Sequence, residues 1–289
     1  MQDTIVCAKE PVQHVLDDCS LEITGKDLAS LKAASALIDP GTSISVTFLP
    51  GEDADIRVAA AKGVKELGFV PFPHISARRI GAEAELRVFL ARLSAEVGID
   101  RAFVVAGDPD KPLGPYEDAL AIIKSGILGE YGVRKVGIGG YPEGHSVIPD
   151  DKLWQALRDK HAAINANGQS CEIITQFGFD ADPVLDWLEK VRGEGIDSVV
   201  RIGLPGPASV KTLLRFASRC GVAASTTVLR KYGLSVTKLL STAGPDNLLK
   251  ELSERLKPAV HGETRIHLYP FGGLERTGEW IRNVKAERN

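Results

Sequence analysis

The stretch IITQFGFD, Ile173 to Asp180, begins as a β-branched apolar run and ends on an amide, a glycine and a carboxylate. A run this short and this apolar reads as a strand buried on both faces, the habit of parallel sheets covered by helices. Two residues past its end lies DPVLDWLEKVRGEG, whose apolar residues recur at helical spacing. One buried strand followed by one amphipathic helix is therefore the unit from which the rest of the chain can be read.

The unit repeats in both directions. Upstream, SLEIT near 20, ISVTFL near 44, FVPFPHI near 69, AFVVAGD near 102 and VRKVGIGG near 133 precede DLASLKAASALI, ADIRVAAAKGVKEL, EAELRVFLARLSAEV, YEDALAIIKSGIL and DDKLWQALRDKHAAI. Downstream come SVVRIGL near 198, the helical ASVKTLLRFASRCG, and a last run, RIHLYPF, near 265. Eight such strands match the (β/α)8 barrel, whereas open doubly wound sheets more often stop short of eight. The expectation is one barrel domain over residues 1–289, with 1–15 as an arm or lead-in. TTVLRKYGLSVTKLLS and DNLLKELSERL add an extra helix before the last strand. Asp27, Asp53 and Ser209 stand where helix N-caps are expected.

The composition narrows the function classes. The 289 residues are 44% hydrophobic, enough for a large core, and 35 basic against 38 acidic residues give a net charge of -3 without any basic block. Nothing in that pattern follows a phosphate backbone, so no nucleic-acid partner is expected. Neither a leader nor a membrane-length apolar run is apparent, which sets the expectations of no membrane association and a cytoplasmic location. The four cysteines, Cys7, Cys19, Cys171 and Cys220, are scattered without a C-x-x-C pair and read as reduced, packed thiols.

In (β/α)8 barrels the chemistry collects where strands end at their carboxyl side. Reading each run to its tip gives Glu22, Thr47, His74, Asp108, Tyr141 with Glu143 and His145, Gln176 with Asp180, Arg201 with Pro205, and Tyr269. Any one of these can be a loop hydrogen-bonding group, but several converging on one mouth favour a ligand site. Glu22, flanked by Leu21 and Ile23, is expected to point into the mouth. Burial there raises a carboxyl pKa and makes a general acid, while the alternative is a buried pair with an arginine or lysine. Asp108 follows Gly107, which lets a ligand approach the backbone, and the alternative for it is an Asx-type turn.

Two glycine-rich stretches fail as nucleotide motifs. GIGGYPEGH, residues 137 to 145, has Pro142 where a dinucleotide fingerprint wants its third glycine, and GLPGPAS lacks the Lys-Ser/Thr of a P-loop. The six histidines show no H-E-x-x-H or similar spacing, so no metal is expected.

SLEIT, SVTF, PHIS, GDPDKP, YPEGH and ITQFGFD, in that order from about residue 20 to 205, resemble the motifs of 5,10-methylenetetrahydrofolate reductase, a flavin-containing barrel enzyme of one-carbon metabolism and methionine biosynthesis. The resemblance implies an oxidoreductase that interconverts 5,10-methylenetetrahydrofolate and 5-methyltetrahydrofolate by hydride transfer at N5 of FAD. It implies Glu22 as the general acid that opens the folate ring, Asp108 as the carboxylate beside pterin and flavin, and Gln176 as a pterin contact. Thr47, His74, Gly107, Asp108, Tyr116, Tyr141 and His145 match positions that contact the FAD. A folate substrate is implied, with a second copy of the chain or an electron-donor protein as candidate partners.

Several residues depart from the family pattern. Ala106 replaces an arginine two places before the Asp, Gly178 stands where FGFD would carry its middle aromatic, and Gly206-Pro207-Ala208-Ser209 lacks a ring to meet a nicotinamide. The arginine near the folate tail is also missing, with Arg276 close by. These departures support folate and flavin better than NAD(P)H. They also motivate two alternatives: a flavin-independent methylenetetrahydrofolate reductase, and a non-catalytic folate-binding barrel.

Overall fold

A computed structural model describes residues 16–220 and 242–287. The arm expected over 1–15 and the helix expected in TTVLRKYGLSVTKLLS lie outside the described residues. Eight parallel strands close into a barrel in the order β1-β8-β7-β6-β5-β4-β3-β2. They are β1 (Ser20–Thr24), β2 (Ser43–Thr47), β3 (Val70–Ser76), β4 (Arg101–Val105), β5 (Lys135–Gly140), β6 (Ser170–Phe177), β7 (Val199–Pro205) and β8 (Thr264–Tyr269). Each matches one apolar run. Between them lie α1 (Leu28–Ala34), α2 (Ala54–Glu66), α3 (Glu83–Arg92), α4 (Ala119–Lys124), α5 (Asp150–Ala166), α6 (Ala181–Gly193), α7 (Val210–Arg219) and α8 (Asp246–Arg255), and α9 (Leu274–Ala286) follows the last strand. The chain is a (β/α)8 barrel, and α8 is an extra helix before its last strand.

Caps explain several boundaries. Asp53 and Ser209 accept hydrogen bonds from the backbone N–H groups of Ile56 and Thr212 and so start α2 and α7. Asp180 does the same for α6 by accepting from Asp182 N–H, which accounts for the carboxylate that closes IITQFGFD. Asp27 departs from expectation: its carboxylate turns back and accepts from both the N–H and the hydroxyl of Thr24, at 2.8 and 2.7 Å.

The strands are apolar on their outer face and largely polar inside. Leu21, Ile44, Val104, Ile138, Ile173, Ile202 and Leu268 alternate outward into the core beneath the helices. Inside the barrel a small cluster of Phe72, Phe103 and Ile174 separates two polar layers. The deeper layer corrects one sequence expectation. Arg201 is not at a tip, because it stands two residues into β7, is 4% exposed, and pairs with Glu172 of β6 at 2.8 Å. It also reaches Asp18, just before β1, at 3.0 Å, and Lys135 of β5 reaches the other oxygen of Glu172. The upper layer, with Glu22, His74 and His267, lies beneath the mouth.

Candidate functional site

A cavity of about 520 Å³ occupies the carboxyl end of the barrel, within the range of small-molecule sites. Glu22, Thr47, His74, Tyr141, Gln176 and Tyr269 all line it, drawn from six strand ends. Glu22 is the acidic focus. Its Oε2 lies 3.7 Å from Nε2 of His74 and 4.0 Å from Nε2 of His267. Burial pushes the Glu22 carboxyl up to about 8. Among the described residues no arginine or lysine pairs with Glu22, and Arg201 is committed to Glu172 and Asp18 below. Burial acts oppositely on the bases, pushing His74 down to about 3 and His267 well below the ordinary imidazole range. At neutral pH the cluster is an uncharged carboxylic acid between two uncharged imidazoles.

Gln176 owes its position to a defect in the sheet. Along β6 and β7, Ile174 pairs with Arg201 but Phe177 pairs with Gly203, so β6 carries one extra residue there. That is a β-bulge, which re-aims a side chain at a barrel rim. Thr175 accepts from the Gly203 N–H at 2.8 Å, and the Tyr269 hydroxyl donates to the Thr175 carbonyl at 3.0 Å. A Cβ on Gly203 would meet the Thr175 carbonyl oxygen at 2.5 Å, so the bulge needs glycine opposite it. The side-chain Oε1 of Gln176 accepts from Phe177 N–H, 3.1 Å away. Its amide nitrogen is the end available to a ligand.

The expected residues do not all converge. Asp108 is 65% exposed on its side chain and lies outside the lining, held by Arg79, whose Nε donates to it at 2.8 Å. Partial burial opposes ionisation of Asp108, but the Arg79 hydrogen bond and charge prevail and hold the carboxyl below its ordinary range. Gly107 beside it has φ of +90°, with Ser76 3.2 Å from where a Cβ would stand. Its backbone turns the loop toward Ser76 and the rim. Tyr116 is buried in the main core, 5% exposed and away from the mouth. His145 sits behind Tyr141, ring centroids 5.5 Å apart, in a small side recess that also includes Gln176. Its Nδ1 accepts from the N–H groups of Val147 and Ile148 at 3.2 Å.

Other residues at the site had no motif to announce them. Phe216 of α7 stacks on Phe271 at 4.0 Å, and Phe271 packs against Phe177 and Tyr269, forming an aromatic wall on the mouth. Rings from α7 and the loop after β8 thus line the mouth although GLP is followed by none. The helical spacing of Leu213, Phe216 and Ala217 marked an apolar face, but not that it would turn toward the mouth. Where the family-like aromatic is replaced by Gly178, the Glu143 carboxylate fills the space, 2.8 Å from a Cβ built there.

The lining suits a flat heteroaromatic ring with hydrogen-bonding edges. Aromatic rings together with an amide and a carboxylic acid in one lining fit a pterin, and the same features fit the ring end of a flavin. For the diphosphate of FAD, Arg219 is the single cation among the described lining residues. The neighbouring cavity of about 310 Å³ behind Tyr141 presents Asp150, Asp182 and Asp186 with Lys190.

No protein-family model matches the chain. Methylenetetrahydrofolate reductase 1 of Schizosaccharomyces pombe is 32% identical over 87 residues, 30% of this chain and 14% of that protein. Methylenetetrahydrofolate reductase 2 of Saccharomyces cerevisiae is 29% identical over 130 residues, 42% of this chain and 21% of that protein. The matches thus span less than a quarter of either relative. Among solved structures, an uncharacterized Clostridium thermocellum protein that binds two copies of 5-methyl-5,6,7,8-tetrahydrofolic acid superposes with a TM-score of 0.61 at 13% identity. That alignment covers 93% of this chain and 95% of the other and establishes a shared fold. Over part of its length the chain is thus similar in sequence to two methylenetetrahydrofolate reductases, and its barrel is shared with the Clostridium thermocellum protein.

Proposed function

We propose that this chain is an oxidoreductase that binds a reduced folate in the barrel mouth and interconverts 5,10-methylenetetrahydrofolate and 5-methyltetrahydrofolate. The observation that carries the reading is the placement of Glu22 on the lining of a ring-sized cavity, facing two buried imidazoles at 3.7 and 4.0 Å, where burial pushes its carboxyl up to about 8. In the reducing direction, Glu22 gives its proton to the bridging nitrogen of the methylene-folate. The carbon–nitrogen bond breaks with its electron pair going to that nitrogen, and the methylene carbon becomes an iminium ready for a hydride. A donor whose pKa lies near the working pH is suited to such a transfer. Gln176 binds the pterin edge, while Phe216, Tyr269 and Phe271 cover one flank of the ring and exclude water.

Thr47, His74 and Tyr141 are the residues available to hold a flavin ring beside the folate, and Arg219 is the cation available to its phosphates. A bound FAD supplies the hydride. The 5-methyltetrahydrofolate bound by the structural neighbour is in keeping with a folate ligand here. Glu22→Gln is expected to leave flavin reduction intact and to suppress methylene-folate reduction by at least about a hundredfold, because the proton is needed only in the folate half. Equal loss in both half-reactions contradicts the assignment.

A second reading, hydride transfer straight from a reduced nicotinamide without bound flavin, is favoured by Asp108 and Tyr116 standing away from the cavity and by the acidic surround behind Tyr141. The absorption spectrum of the purified protein separates the two. A yellow protein bleached by methyl-folate supports the flavin reading, whereas a colourless one that oxidises NAD(P)H with methylene-folate supports the second. Folate binding without turnover under any donor identifies a non-catalytic folate-binding barrel.

A further inference from the structure

The Nε2 atoms of His74 and His267 both face Glu22 Oε2, at 3.7 and 4.0 Å. Both nitrogens are buried, and neither has a hydrogen-bond partner among the described residues. A buried ring nitrogen left unpaired is costly whether it donates or accepts, so two of them facing one oxygen demand an account. Their orientation is fixed by neighbours. The Ser20 hydroxyl lies 2.8 Å from Nδ1 of His267, and with Ser20 donating there the ring proton of His267 resides on Nε2, facing Glu22. His267 also meets Tyr269 edge-on at 4.8 Å, and His74 lies against Phe103 at 4.6 Å.

We propose that His267, aligned by Ser20, and His74 are positioning residues that close Nε2–H hydrogen bonds onto Glu22 as its carboxyl gives up its proton. The inference rests on the reading of Glu22 as the acid that protonates a folate. The proton leaves Glu22 for the folate nitrogen, which also takes the electron pair of the broken carbon–nitrogen bond. Both histidines keep their N–H protons and stay neutral. Closing from about 4 Å to about 3 Å is within the reach of a carboxyl rotation, and catalytic hydrogen bonds are often long before substrate binds. The pair thus holds back stabilisation from the acid and gives it to the carboxylate, which lowers the barrier only at the moment of transfer.

Among the described residues, the other groups facing the cluster do not supply this stabilisation. Tyr269 on β8, Tyr141 after β5 and Cys220 after α7 are all pushed up by burial and stay uncharged. Asp27 is engaged by Thr24, Arg219 stands exposed on the lining, and Arg201 below is paired with Glu172 and Asp18.

The test is an infrared pH titration of the whole protein without folate, in which the carboxylic-acid carbonyl band missing from Glu22→Gln identifies Glu22. His267→Leu is expected to raise the ionisation midpoint of that band by about one pH unit, a tenfold change. His267→Gln, whose amide nitrogen can take the place of Nε2, restores it. Ser20→Ala removes only a hydroxyl, so it keeps the test open should His267→Leu fail to fold, and it moves the midpoint the same way by a smaller amount. A midpoint unmoved in Ser20→Ala and in any folded His267→Leu overturns the inference. Turnover is read separately, as a fall in kcat with KM held. A shifted midpoint in a protein that never turns over folate upholds the histidine pair and sinks the folate reading; an unmoved midpoint with normal turnover does the reverse.

Discussion

At the scale of single residues, the upper polar layer of the barrel makes stability depend on pH in a definite direction. Glu22 ionises near 4.5 ordinarily and near 8 in the fold, so the folded state retains a proton the unfolded chain has released. Its contribution to stability is full below pH 4.5 and is lost as pH rises to 8. His74, lowered from 6.5 to about 3, and His267, displaced the same way, act oppositely. The unfolded chain holds protons that these sites refuse, so their contribution grows up to pH 6.5. Between 4.5 and 6.5 two histidines outweigh one carboxyl, and between 6.5 and 8 only Glu22 acts. Urea unfolding is therefore expected to show this cluster's maximum near pH 6.5 and a fall of about 2 kcal/mol toward pH 8 that Glu22→Gln abolishes. A fall equally steep in Glu22→Gln assigns the dependence elsewhere.

At the scale of elements, the site hangs on one irregularity and one clamp. The bulge in β6 exists because Thr175 can accept from Gly203 N–H and because Gly203 has no Cβ to strike the Thr175 carbonyl. Gly203→Ala puts a methyl 2.5 Å from that oxygen, and strand backbone, unlike a flexible side chain, cannot yield cheaply. Denaturant unfolding is expected to show a loss of about 2–3 kcal/mol, with folate affinity falling because Gln176 moves. A variant within about 0.5 kcal/mol of the parent means the bulge is not locked by this contact. The clamp is Arg78 and Arg79, after β3. Arg78 Nε donates to the Glu117 carbonyl at 2.8 Å and Arg79 holds Asp108, so the loop after β4 is tied to the end of β3. Arg79→Gln is expected to release Asp108, and the sign of the change in folate affinity reads whether Asp108 then reaches the cavity. Tighter binding supports a pterin-contacting role for Asp108, and unchanged binding leaves it a loop anchor.

At the scale of the whole molecule, the barrel is closed by charge as well as by backbone pairing. Arg201 joins β7 to β6 through Glu172 and to the start of β1 through Asp18, 183 residues apart. Both Arg201 and Glu172 are nearly sealed from solvent, at 4% and 2% exposed. Removing one partner of such a pair leaves a buried charge short of compensation; Glu172→Gln leaves Arg201 only the half-exposed Asp18, and is expected to cost about 3 kcal/mol in unfolding free energy. Replacing both residues with apolar side chains of similar volume is expected to cost far less, and equal losses in the two variants contradict the stranded-charge account.

The sequence by itself determined the strand-helix alternation, because buried strands and one-sided helices impose different apolar spacings that survive without any tertiary knowledge. It also exposed Glu22 and Gln176, since a charged or amide side chain inside an apolar run is conspicuous. Tertiary structure alone decided which way each polar residue faces and what it meets. Arg201 looked like a tip but lies two residues into its strand, facing a carboxylate on the next one. Asp108 looked like a pocket residue but meets an arginine from the preceding loop. Phe216 came to the mouth through the packing of α7. The reason is physical: periodicity is set within a few residues of the chain, whereas the partner of a buried charge and the aim of a side chain beside a bulge depend on strands brought together from far apart in sequence.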